Sequence, residues 1–130
     1  MTFLFNRELD YQFLDAKFQD DLYLAREVIG SWCETLDMEL NILESALEQE
    51  RYAAFLRVSQ RLTSGMQLVG LIDEIAWIQR LRSHFAFNGV NEAFKKNASL
   101  LSERLYELNS LFIIEQQRIE SHLEQKLRHS

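Results

Sequence analysis

The side chains best suited to covalent or metal chemistry in this 130-residue chain are three imidazoles, His84, His122 and His129, and one thiol, Cys33. An imidazole with a free lone pair can accept a phosphoryl group or a metal, and a thiol acts as its thiolate. Their spacing excludes most of these uses. No His-x-x-x-His or Glu-x-x-His pair occurs, and one thiol cannot complete a Cys/His set, so no metal and no cofactor is expected. A glycine-rich phosphate loop, a nucleophile elbow and a Cys/His pair are also absent from the sequence, so no enzymatic activity is expected. His122 and His129 fall on the tail of a long amphipathic stretch and read as solvated surface, and Cys33 falls on an apolar seam and reads as core. What remains is a run centred on a carboxamide: Val58-Ser59-Gln60-Arg61-Leu62-Thr63-Ser64-Gly65-Met66-Gln67-Leu68-Val69-Gly70.

The elements that must position this run are helices. Proline is absent, only four glycines are present, and 47% of residues are apolar, so long helices meet little interruption. Apolar residues recur at steps of three and four, which predicts an all-α chain in one domain. Leu9, Phe13, Leu14 and Phe18 predict a short first helix or lid over residues 6 to 18. A second helix, from Asp20 or Asp21 to Leu47, carries the seam Ile29, Cys33, Leu36, Leu40, Leu43 and Leu47 and is expected to continue through Gly30. The third runs from Gln49 to Val69 and ends at Gly70; the fourth runs from Leu71 to Phe87, with Asn88-Gly89 as its stop. In the fourth, Leu71, Ile75, Ile78, Leu81 and Phe85 are expected in the core. The last, Asn91 to Leu127, buries Phe94, Ala98, Leu101, Leu105, Leu108, Phe112 and Ile119. At 1.5 Å per residue it is roughly 55 Å long, against about 25 to 40 Å for the preceding ones. It must overhang, and Ile113, Ile114, Ile119, Leu123 and Leu127 then require a cover: the Phe3-Leu4-Phe5 segment, or a second copy in a homodimer through the C-terminal helix.

On a helical wheel, the stripe Phe55, Val58, Leu62, Met66 and Val69 lies nearly opposite Gln60. Gln60 therefore faces outward with Ala53, Arg57, Ser64 and Gln67. Leu56 and Thr63 flank this outer stripe on one shoulder, Arg61 and Leu68 on the other.

The run resembles the central helix of bacterial histidine phosphotransfer (HPt) domains, which read His-x-Leu-Lys-(Gly/Ser) with a Gly ten residues after the His. Leu62, Ser64 and Gly70 fall on this pattern; Gln60 and Thr63 replace the His and the Lys. Ala46-Leu47 and Phe55 match the family's upstream apolar positions, and Trp32 its large aromatic in the preceding helix, so the resemblance covers residues 20 to 90. It implies an antiparallel four-helix bundle of HPt type, here with a short N-terminal helix and an extended C-terminal one. A two-component signalling partner is also implied, either a response-regulator receiver domain or a sensor histidine kinase, docking over the outward mid-helix position. A carboxamide nitrogen has its lone pair delocalised into the carbonyl and cannot take the phosphoryl group, and Thr63 lacks the Lys cation. The expected role is therefore binding without transfer, through Leu56, Arg57, Gln60, Arg61, Thr63, Ser64, Gln67 and Leu68.

Two alternatives follow from the same residues. His84 lies fourteen residues after Gly70 and Gln60 ten before it, so a hairpin sets them within about 6 Å of one level, and His84 could act as a relocated acceptor. A structural or oligomerisation bundle with no signalling partner is the other. The net charge of -6 speaks against nucleic acid, and no apolar run approaches the ~20 residues of a membrane span. One cysteine and no leader-like start predict a cytoplasmic protein. The Asn97-Ala98-Ser99 sequon is read as an accident of composition.

Overall fold

A computed structural model describes residues 2–129 as five helices, with no strand among the described residues: α1 (Tyr11–Phe18), α2 (Leu22–Glu48), α3 (Tyr52–Leu68), α4 (Ile72–Asn88) and α5 (Glu92–Arg128). The chain is an all-α bundle. Side-chain caps set three of the starts: Asp10, Asp21 and Asn91 each accept a hydrogen bond from the backbone N–H three residues on. Asp10 starts α1 later than the apolar pattern suggests, and residues 2–9 run as a non-helical strap. α2 is unbroken through Gly30.

The ends of α2 and α3 share one chemistry. Leu71 N–H donates to Met66 O (2.9 Å) across Gly70, whose φ is +79°, and Arg51 N–H donates to Ala46 O (2.8 Å) across Glu50, whose φ is +56°. Both are left-handed caps that turn the chain sharply back. Three-residue connections then force each helix to run against its predecessor. Arg61 of α3 meets Glu39 of α2, while Gly65 meets Trp32; Gln60 meets Arg82 of α4; Glu74 of α4 meets Arg104 of α5, while His84 meets Phe94. The ring closes through α5 and α2, where Tyr106 donates to Glu44 and Trp32 packs edge-on against Phe112. α3 and α5 lie on a diagonal, their backbones apart, and meet inside the bundle, where Tyr52 packs edge-on against Phe94.

The core is continuous from Phe55 and Phe94 through Leu36, Leu62 and Leu101 to Phe18 and Phe112. All seven apolar residues expected inside on α5 are buried. The seam of α2 is rotated slightly from expectation: Trp32 and Ala46 are buried, whereas Cys33 and Leu47 are only half-buried at its edge. Ile75 and Phe85 of α4 are likewise half-buried. The overhang of α5 is covered by the strap. Phe3 and Phe5 are buried and pack edge-on with each other, and Phe3 stacks edge-on against His122. Arg118 donates to Leu4 O (2.8 Å) with its guanidinium over the Phe3 ring. Ile119 and Leu123 are buried as a result; Ile113, Ile114 and Leu127 stay exposed.

Candidate functional site: the outer face of the third helix

α3 buries Phe55, Leu56, Val58, Ser59, Leu62 and Met66, and turns the opposite side to solvent. Gln60 is exposed at the middle of that side, as its wheel position requires, and Arg57, Ser64 and Gln67 are exposed along the same stripe. Leu68 keeps 49% of its surface open at the C-terminal end. Because α5 is diagonal to α3, nothing of the long helix covers this face. Leu56 departs from expectation. Its wheel position is on the shoulder of the open face, but it is buried, because that shoulder is the side on which α4 packs. Thr63, on the same shoulder, is half-buried, and its hydroxyl donates to Gln60 O (2.7 Å) within the helix.

The electrostatics of the face are set by three arginines. Arg57 has no ion-pair partner among the described residues. Arg61 pairs with Glu39 of α2 at 3.1 Å, and Arg82 of α4 donates from Nη1 to Gln60 Oε1 at 3.0 Å. The Arg82 contact was not anticipated, although the hairpin register about Gly70 that sets His84 near Gln60 sets Arg82 nearer still. It supplies a cation beside the carboxamide where Thr63 supplies none.

On the other shoulder, α3 comes close to α2 at Gly65. A Cβ built there would lie 2.7 Å from Cε3 of Trp32, so only glycine lets the edge of the indole approach the helix this closely. Beside this approach is a notch of about 230 Å³ lined by Val28, Ser31, Trp32, Thr35, Gly65 and Leu68. Met38 and Ile42 of α2, 72% and 49% exposed, add apolar surface to α2. An arginine-rimmed face with exposed aliphatic groups beside a shallow notch can bind another protein. Its central residue is no phosphoryl acceptor: Gln60 lacks an available lone pair on nitrogen, and the hydroxyls of Thr63 and Ser59 donate within the helix, to Gln60 O and Phe55 O.

His84 does not join this face. Its ring packs against Phe94 of α5, centroids 5.8 Å apart, and its Nε2 is buried without a hydrogen-bond partner among the described residues. The hairpin sets the level as expected, but the side chain turns to the α4–α5 seam. His122, expected as solvated surface, is instead half-buried against Phe3 of the strap, and His129 is exposed at the end of α5. No group of His, Cys, Asp and Glu among the described residues is arranged to hold a metal, and no helix is long and apolar enough to cross a membrane.

Set against protein-family models, curated proteins and solved structures, the chain finds no match in any of the three.

Proposed function

We propose that this chain is a phosphotransfer-like docking module of HPt type, a cytoplasmic four-helix bundle with an extended last helix. It binds a receiver domain or a sensor histidine kinase and does not carry the phosphoryl group. The observation that carries the reading is the open face around Gln60: an exposed carboxamide at mid-helix, left uncovered by the long last helix. Arg57, Arg61 and Arg82 surround it, and they suit the acidic pocket in which a receiver holds its phosphorylated carboxylate. Leu68 and the notch over Trp32 provide the apolar anchors from which most interface energy comes. Loss of the acceptor leaves that shape and area unchanged, so binding persists without transfer.

The test restores what the sequence lacks. Gln60→His with Thr63→Lys is expected to gain an acid-labile phosphoryl label from a phosphorylated receiver, while the unaltered chain takes none and still binds receivers in calorimetric titration. Absence of binding by either protein to the receivers and kinases of its own cell would defeat the proposal. Label on the unaltered chain that disappears with His84→Ala would instead establish a relocated acceptor.

A second reading, an oligomerisation bundle pairing through α5, has the exposed Ile113, Ile114 and Leu127 in its favour. The strap already fills the adjoining surface, which lessens the need for a second copy. Sedimentation equilibrium separates the readings: a monomer at high micromolar concentration removes the homodimer.

A further inference from the structure

We propose that the cleft between α4 and α5 binds a small carboxylate anion with a planar apolar body, held by Arg80, His84 and Asn97 against Trp77. The cleft has a volume of about 470 Å³ and is lined by Trp77, Arg80, Leu81, His84 and Asn97. That volume lies within the range of small-ligand sites. Trp77, Arg80, Leu81 and His84 follow one another at helical spacing and form one stripe of α4 directed at α5.

Charge and hydrogen bonding select the ligand. Arg80 is exposed and has no ion pair among the described residues. The positions one helical turn away, Ala76, Trp77, Ser83 and His84, offer it no carboxylate. From Ile75 to Asn88 the helix contains Arg80, Arg82 and His84 and no acidic residue, a local excess of positive charge in a chain whose net charge is -6. The His84 ring is pinned by Phe94, and its Nε2 lacks the partner that a buried ring nitrogen ordinarily has. Nε2 is closed to solvent beside the cleft, so it donates to a bound carboxylate once the ring turns toward Arg80, and the Asn97 amide donates from α5.

A planar guanidinium fork matches the two coplanar oxygens of a carboxylate. Trp77 and Leu81 form the apolar wall against which a flat hydrocarbon body packs. The same fork accepts phosphate, so the preference for a carboxylate rests on the wall, against which a tetrahedral phosphate has no flat body to pack. The site is separate from the face around Gln60, which meets α4 through Arg82 on another side of that helix.

The probe is benzoate, titrated into the full chain and followed by 1H–15N NMR. Saturable shifts at the Trp77 indole, His84 and Asn97 are expected, with a dissociation constant in the millimolar range suited to so small a ligand. Arg80→Gln is expected to weaken binding by about tenfold or more through loss of the charged fork, and His84→Phe, which keeps the ring on Phe94 and removes the donor, to weaken it less. Lys126→Gln, near the far end of α5, should leave the affinity unchanged. Circular dichroism identical to that of the parent confirms that each variant is folded. No saturable shift, an affinity unaffected by both Arg80→Gln and His84→Phe, or displacement of benzoate by equimolar inorganic phosphate would each overturn the assignment.

Discussion

At the scale of the residue, the contact between Gly65 and Trp32 sets two opposed effects against each other. Replacing a helix-interior glycine with alanine ordinarily gains about 1 kcal/mol of helix propensity. Here the added methyl would come within 2.7 Å of an indole that is itself buried, so α3 or Trp32 must move, and overpacking of this kind costs about 1 to 3 kcal/mol. Gly65→Ala is therefore expected to lower the urea midpoint despite its better propensity. Cys33 gives a second prediction. Burial, then the charges of Asp37 and Glu34, push its thiol from an ordinary value of 9.0 up to about 11. The thiolate is the reactive form, so alkylation at pH 8 should be far slower than in the unfolded chain. A raised folded-state pKa means that this stabilisation is complete below pH 9 and is lost as pH rises toward about 11. The urea midpoint should decline across that window, and decline less in Cys33→Ala.

At the scale of the element, the strap over α5 rests on a carboxylate that the periodicity concealed. Glu115 is fully buried; its Oε2 accepts from Asn6 N–H at 2.6 Å and its Oε1 from Arg118. Glu115→Ala orphans the Asn6 donor, and an unsatisfied buried N–H costs about 1 to 3 kcal/mol. Lower stability is expected, with faster hydrogen exchange at Asn6, and an unchanged exchange rate would show that the strap is held by Phe3 and Phe5 alone. The sequence contained the signal: Glu115 occupies a seam position between Phe112 and Ile119, where an apolar residue belongs. Glu74, buried on Arg104 between Leu71 and Ile78, carries the same mark. Helix existence was legible because breakers coincide with the turns at Gly70 and Gly89. The start of α1 was less so, since Leu9 belongs to the apolar pattern but packs from the strap. Leu56 was misplaced because a wheel measures the angle from the core stripe and is blind to which shoulder a neighbouring helix covers.

At the scale of the whole molecule, the order of the helices around the ring decides which surface is free. α5 is the longest element and the natural lid, yet it closes on α2 and α4 and leaves the outer side of α3 bare. No local pattern specifies this diagonal; short turns that place each helix beside the last, and a final seam between α2 and α5, bring it about. That arrangement also has a kinetic consequence. The α2–α3, α3–α4 and α4–α5 hairpins join neighbours in sequence and can zip locally, whereas uniting Trp32 with Phe112 requires closure of a far longer loop before any contact rewards it. Closure is then the barrier. In stopped-flow refolding, Leu36→Ala and Leu105→Ala at the closing seam, and Ile78→Ala within hairpins formed before closure, should slow the refolding limb, whereas Phe3→Ala, in a strap that docks on the finished α5, should chiefly accelerate unfolding.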